Sequence, residues 1–341
     1  MKNWTPSKDY FKITTIDTHT AGEPFRVISS GFPELPGDTM LAKRRYIKQH
    51  HDELRTALMW EPRGHADMYG CIVTPPVSAE ADFGILFLHN EGYSSMCGHG
   101  IIGITVVSLE TGMVSMTTPE TTIKIDSPAG LITSRADIEG EKVRSVRFDN
   151  VPSFVLSQND RITVPGIGTI RYDIAFGGAF YAFVNAEEVG LTTTENDFSK
   201  LIEKGMAIKR AIMDSRCIEH PFEKDLSFLY GTIFIGPPRT KTVHSSNVCI
   251  FADGEVDRSP TGTGVSARLA LHYAKGEIGL QEPIIIESII GTTFTGRVVR
   301  PVTFGSYAAV IPEVEGTSFI TGRHEFLIHP DDPLKNGFIL R

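Results

Sequence analysis

The strongest constraint on this chain is an internal echo. When Leu86 to Ile102 is laid over Ile250 to Ser266, an offset of 164 residues, Phe87 falls on Phe251, Glu91 on Glu255, Ser95 on Ser259, Gly98 on Gly262 and Gly100 on Gly264. Five identities in 17 ungapped positions exceed casual similarity. The echo continues downstream, where each glycine pair runs into an apolar stretch, Ile101 to Thr111 or Val265 to Lys275, that stops at Gly112 or Gly276. Glycine just past a helix is the usual left-handed stop, so both stretches read as buried helices of equal length. Each half therefore offers a strand, a loop of roughly ten residues, a G-x-G turn and one central helix. A duplicated domain with a pseudo-twofold axis is the simplest reading.

Length agrees with duplication: 341 residues, 41% hydrophobic, exceed what one core comfortably holds. Lysine and arginine number 33 against 41 acidic residues, a net charge of −8, which argues against nucleic acid as a partner. Met1 to Lys12 is polar, and the apolar run Gly100 to Leu109 is too short to span a bilayer, so no membrane association is expected and the cytoplasm is the expected location. Four cysteines, Cys71, Cys97, Cys217 and Cys249, form no CxxC pair. Any cysteine chemistry is expected from a single thiol, the other three being structural.

Short β-rich runs bounded by Gly and Pro predict strands at Phe25 to Ser29, Phe83 to Leu88, Thr121 to Asp126, Lys142 to Phe148, Ile170 to Phe176, Ser227 to Ile235, Asn247 to Phe251 and Ile284 to Glu287. Helices are expected from after Asp38 to about Met59 and from Phe198 to about Ser215.

The first glycine loop is Met96-Cys97-Gly98-His99-Gly100 and the second Pro260-Thr261-Gly262-Thr263-Gly264, which makes Cys97 and Thr261 equivalent. Facing halves would point both side chains and both helix N-termini into one cleft. Such termini hold carboxylates with free N–H groups and partial positive charge. The same field is expected to lower the Cys97 thiol pKa, making it a base at neutral pH.

Four segments resemble the signatures of the proline racemase family: Asp17-Thr18-His19-Thr20-Ala21-Gly22-Glu23-Pro24, Glu61-Pro62-Arg63-Gly64-His65, the first glycine loop, and Asp257-Arg258-Ser259 running into the second. The resemblance implies an α/β (α+β) chain with a duplicated diaminopimelate-epimerase-like fold, two pseudo-symmetric halves each wrapping a sheet around a central helix. It also implies catalysis with no cofactor and no metal. The N-terminal half would be residues 1–150, carrying Cys97 and completed by 310–341, and the C-terminal half 151–309, carrying Thr261. In the family's racemases and epimerases two cysteines flank the α-carbon, whereas here the second is Thr261.

A threonine hydroxyl is too weak an acid and base to exchange an α-proton unaided, so two-base inversion should fail. The Cys/Thr pair resembles the branch that dehydrates trans-3-hydroxy-L-proline. Stereochemistry agrees, because that substrate's 3-hydroxyl lies on the same ring face as its α-hydrogen, and one base on one face suffices. The resemblance implies that Cys97 takes the α-proton and Thr261 lines the opposite wall, with Δ1-pyrroline-2-carboxylate as the product. The acid that protonates the departing hydroxyl stays open, as Cys97 itself or a neighbour. Gly98, His99, Gly262 and Thr263 would donate to the substrate carboxylate, and Asp257 would accept from the ring nitrogen. The expected partner is thus a small-molecule imino acid, and a homodimer is an open option.

Blander readings exist for each residue. Asp257 could simply shape a turn before Ser259-Pro260, Thr261 could cap a helix, and the His99 ring could be an ordinary core histidine. Gly98-His99-Gly100-Ile101-Ile102-Gly103 also spells G-x-G-x-x-G, which elsewhere marks a dinucleotide-dependent oxidoreductase. Against this, His89 to Cys97 separate the strand from the first glycine, where a phosphate loop turns directly from strand into helix. A proline racemase, a 4-hydroxyproline epimerase and a non-catalytic imino-acid binding protein complete the alternatives.

Overall fold

A computed structural model describes residues 4–340. The first repeat holds strands β1 (Phe11–Thr20), β2 (Glu23–Ser30), β3 (Tyr69–Thr74), β4 (Phe83–His89), β5 (Glu120–Ser127), β6 (Gly130–Glu139) and β7 (Lys142–Asp149). Its helices are α1 (Met40–His50), α2 (Asp52–Met59) and α3 (Gly98–Glu110). After β8 (Ser153–Val164), the second repeat holds β9 (Gly168–Phe176), β10 (Phe180–Asn185), β11 (Leu229–Gly236), β12 (Ser245–Phe251), β13 (Glu255–Val256), β14 (Ile284–Glu287), β15 (Thr293–Phe304) and β16 (Tyr307–Gly316). Its helices are α4 (Phe198–Ser215) and α5 (Gly262–Ala274), and β17 (Ser318–Ile328) follows.

The duplication is visible strand by strand. β1 and β2 pair antiparallel, β2 and β3 parallel, β3 and β4 antiparallel, and β4 and β5 parallel across α3. β9, β10, β11, β12 and β14 repeat those four pairings in the same order, with α5 in the place of α3. β8, β9, β10, β11, β12, β14, β15 and β16 close into a ring through the β16–β8 pairing. In the first repeat, β7 pairs with the end of β16, and β17, one residue further on, pairs with β1. The stretch 307–328 therefore stitches both repeats together.

Each sheet wraps its glycine helix, as the α+β, diaminopimelate-epimerase-like architecture requires. In α3 every residue from Gly98 to Leu109 is buried, and α5 is buried from Gly262 to Leu271. Such all-round apolar sequence suits a helix enclosed by sheet and not one on a surface. The β-branched run Ile101, Ile102, Ile104, Thr105, Val106 and Val107 has modest helix propensity, so tertiary burial holds α3 helical. Antiparallel neighbours run throughout both repeats, which excludes the doubly wound dinucleotide fold.

Three local details differ from expectation. The G-x-G glycines form the first turn of each helix instead of a turn before it. The segment after Asp38 is two helices broken at His51, and the α1 N-cap is Thr39, whose hydroxyl accepts from Ala42 N at 3.0 Å. Nine strands fall outside the predicted runs: β1, β3, β6, β8, β10, β13, β15, β16 and β17.

Candidate active site

The N-termini of α3 and α5 meet head to head. A methyl placed on Gly98 would stand 2.6 Å from the Gly262 Cα, and one on Gly262 would stand 2.7 Å from the Gly98 Cα. Only glycine permits backbones this close. At the meeting point lies a chamber of about 20 Å³ whose lining includes Cys97, Gly98, His99, Asp257, Thr261, Gly262 and Thr263. All seven residues singled out from the sequence therefore converge. The chamber has room for about one water. An imino acid needs far more, so the halves must part to admit one.

Cys97 is the N-cap of α3, and its sulfur accepts from Gly100 N at 3.3 Å. Both ring nitrogens of His99 lie close to the same sulfur, at 3.3 and 3.4 Å. Burial pulls the His99 pKa down to about 4 against an opposing pull from Asp257, so the ring is a neutral imidazole. The expected lowering of the Cys97 thiol is reversed in this closed state. Burial pushes the thiol well up, the carboxylates of Asp257 and Glu23 add to the effect, and the Gly100 N–H and the Tyr69 hydroxyl oppose it. Desolvation outweighs the helix terminus once the chamber shuts.

The equivalent cap on α5 is built differently. Thr261 has φ +66° and ψ 93°, a region a β-branched residue rarely enters, at a cost of about 1–3 kcal/mol. A chain of bonds holds it there: Thr261 N donates to Ser259 Oγ at 3.1 Å, and Ser259 N donates to Asp257 Oδ1 at 2.7 Å. Asn247 Nδ2 clamps the Pro260 carbonyl at 3.0 Å. The Thr261 hydroxyl makes no capping bond. It is buried without a hydrogen-bond partner at normal distance and lies beside the Cys249 thiol. Asp257 thus does shape the turn, as the bland reading held, while also lining the chamber.

Sequence reasoning missed the rest of the wall: Tyr69, Met96, Tyr181, Tyr230, Cys249 and Phe251. Cys249, expected to be structural, also lines the chamber beside Thr261, and burial pushes its thiol well up. Tyr181 and Thr263 share a hydrogen bond of 2.7 Å between hydroxyls, which fixes the Thr263 side chain. Tyr69 bonds the Ser94 hydroxyl, lies 3.2 Å from the Tyr230 hydroxyl, and packs edge-on against the His99 ring. Two of these aromatics could have been flagged: Phe251 is the echo of Phe87, and Tyr69 opens β3. Among the described residues, no three His, Cys, Asp or Glu side chains converge as metal ligands, and no helix is long and apolar enough to cross a membrane.

Residues 15–339 match the family model described as proline racemase. A trans-3-hydroxy-L-proline dehydratase of Colwellia psychrerythraea is 49% identical, the match covering 100% of this chain and 97% of that protein. A 3-hydroxyproline 2-epimerase of Burkholderia multivorans is 46% identical over 96% of this chain and 98% of its own. Among solved structures, a hydroxyproline epimerase from Agrobacterium vitis with bound trans-4-hydroxy-L-proline superposes with a TM-score of 0.91 at 32% identity, covering 97% of this chain and 96% of that one. With matching segments spread along nearly the whole chain and a duplicated fold closing on Cys97 and Thr261, this chain belongs to the proline racemase family.

Proposed function

We propose that the protein dehydrates trans-3-hydroxy-L-proline to Δ1-pyrroline-2-carboxylate, with Cys97 as the base and no cofactor. One observation carries the reading: two head-to-head helix N-termini enclose a chamber with Cys97 capping one helix and Thr261 the other. The first-turn N–H groups around Gly98, His99, Gly262 and Thr263 receive the carboxylate and stabilise the charge that develops on it when the α-proton leaves. Asp257 takes the ring ammonium. Cys97 is thiolate in the open cleft, where water and the α3 terminus favour it, and closure around a zwitterion supplies the ammonium that compensates the buried anion. The α-proton passes to the sulfur, the Cα=C3 double bond forms as the 3-hydroxyl departs from the same face, and the resulting enamine tautomerises to the imine by losing the N–H proton and gaining one at C3.

The halves expected as 1–150 with 310–341 and 151–309 open and close about the chamber, with β16 moving as part of the second half, whose ring of strands it closes. A cytoplasmic setting is supported by four free cysteines. A homodimer is part of this reading; its check is the mass in solution.

A second reading, 3-hydroxyproline 2-epimerisation, is favoured by the name of the Burkholderia multivorans relative and by the Cys249 thiol behind Thr261. A panel of proline and its 3- and 4-hydroxy isomers in D2O decides between the two. Imine from trans-3-hydroxy-L-proline alone supports dehydration. Deuterated substrate of inverted configuration, without imine, refutes it.

A further inference from the structure

Resting on the dehydratase reading, we infer that the Tyr69 hydroxyl protonates the departing 3-hydroxyl. Cys97 and Tyr69 then form a proton relay that resets the thiolate, with the Tyr230 hydroxyl solvating the phenol.

Tyr69 stands in the chamber wall with Cys97, on the first repeat, its ring packed edge-on against the His99 ring that touches the Cys97 sulfur. The substrate's α-hydrogen and 3-hydroxyl share one ring face, so the group that serves the leaving oxygen must come from the wall that carries the base. Thr261 and Cys249 belong to the opposite repeat and face the other side. His99 is on the right wall, but its ring is held against the sulfur and is neutral, with a pKa near about 4. That leaves a phenol which burial holds protonated and therefore ready to donate.

The surroundings suit a transient phenolate. The Tyr69 oxygen is held by the Ser94 hydroxyl and lies 3.2 Å from the Tyr230 oxygen, so two further hydroxyls can solvate it. Tyr230 lines both the chamber and a separate outer cavity of about 620 Å³. In that outer cavity Arg44 carries a buried Nη1 without a hydrogen-bond partner, and its guanidinium is close enough to feel both phenols. The half-buried Arg44 cation partly offsets the burial that holds both phenols protonated. The line from sulfur to outer cavity is also a path for a proton.

The balance closes without an outside acid. The Cα–H bond breaks and S–H forms on Cys97. The electron pair becomes the Cα=C3 bond, the C3–O bond breaks, and the leaving oxygen takes the phenolic proton of Tyr69 to depart as water. The phenolate then takes the proton from the Cys97 thiol, restoring thiolate and phenol.

The test is Tyr69→Phe, assayed with trans-3-hydroxy-L-proline and with trans-3-chloro-L-proline, whose chloride leaves without a proton. Imine formation from the hydroxy substrate is expected to fall by about 100-fold or more, the usual contribution of a general acid. Chloride elimination is expected to stay within about threefold of the unmodified enzyme, which also demonstrates a folded variant with working Cys97. Equal loss on both substrates would make Tyr69 a support for Cys97 or for the fold and overturn the relay, as would undiminished dehydration. An unmodified enzyme that releases chloride but forms no imine from the hydroxy substrate overturns the dehydratase reading itself, and the relay with it.

Discussion

Gly98→Ala tests whether catalysis depends on the two helix termini touching. The added methyl would stand 2.6 Å from the Gly262 Cα, 2.9 Å from its carbonyl carbon and 3.1 Å from the Phe148 ring. Carbon atoms rest at about 3.5–4.0 Å, so the termini must separate by about 1 Å. A misplacement of about 1 Å between donors and reacting atoms costs on the order of 100-fold, and kcat/KM for imine formation should fall by about that factor. Overpacking a core ordinarily costs about 1–3 kcal/mol, but here the halves can relieve the clash by resting open, and alanine is the better helix former. Thermal unfolding should therefore move by only a few degrees while activity collapses. Gly279→Ala is the matched control, because its methyl would meet only the Glu282 carboxylate, at 3.5 Å. If Gly98→Ala turns over within about threefold of the parent, head-to-head contact is irrelevant to the chemistry and the closed-chamber reasoning is wrong.

Cys97→Ser should form imine at least about 1,000-fold more slowly, since an alcohol is a far weaker acid than a thiol and supplies almost no anionic base near neutral pH, with melting unchanged; normal turnover would remove Cys97 from the mechanism. Thr261→Cys places a second thiol at the α5 cap and should produce α-deuterium uptake from D2O with L-proline, read by NMR. Absence of uptake, with Cys97 still alkylatable, would say position 261 does not reach the α-carbon. His99 is neutral with its pKa pulled down to about 4, while the unfolded chain's histidine titrates near about 6.5. The unfolded state therefore binds more protons between those values, and stability present at neutral pH is lost as pH falls from about 6.5 toward 4, by about 3 kcal/mol in total. His99→Gln should flatten that part of the melting-temperature profile, and an unchanged slope would contradict it. Alkylation of Cys97 by iodoacetamide at pH 7 should be fast in the free enzyme, where opening hydrates the sulfur, and strongly suppressed by pyrrole-2-carboxylate, a planar anion whose carboxylate suits the two helix termini. Slow labelling without ligand would place the high thiol pKa of the closed state in the open one too.

How much of this was legible in the sequence follows from how local each signal is. The glycine helices and the Cys97/Thr261 equivalence could be read because both repeats must thread one all-buried helix through a sheet, and burial on every side leaves continuous apolar runs. The same condition exposed β4 and β12, each buried along its whole length. By contrast β17, SFITGRHEFLI, is exposed or half-buried over most of its length, and β15 alternates around Arg297 and Arg300. β17 is held by β1, a partner far along the chain, so no local run of residues announces it, whereas β15 pairs with β16 across the two-residue turn Gly305-Ser306, a local hairpin whose weak burial contrast hid it. What no local run encodes is the meeting of Tyr69 on β3 of the first repeat with Tyr230 on β11 of the second, hydroxyl to hydroxyl, which only the packing of the two repeats creates. The Cys97 thiol was misjudged in sign because a helix terminus is a local property and desolvation is a global one.

That sign reversal bears on how such a site works. In the shut chamber of about 20 Å³ the thiol is pushed up by burial and by Asp257 and Glu23, and Glu23 is itself pushed well up by burial and by Asp257. The empty closed state is thus one in which groups meant to carry charge are discouraged from doing so. A zwitterion reverses this on entry, because its ammonium meets the acidic side while its carboxylate meets two helix termini. Opening lets the thiolate form in water, and closing on the correct ligand keeps it charged in a dry site, where an anionic base is strongest. A neutral ring N–H still offers Asp257 a hydrogen bond in place of the ammonium, so furan-2-carboxylate, isosteric with pyrrole-2-carboxylate but without a ring N–H, should protect Cys97 from alkylation far less well. Equal protection by the two would mean that the carboxylate alone drives closure and that Asp257 plays no part in selecting the ligand.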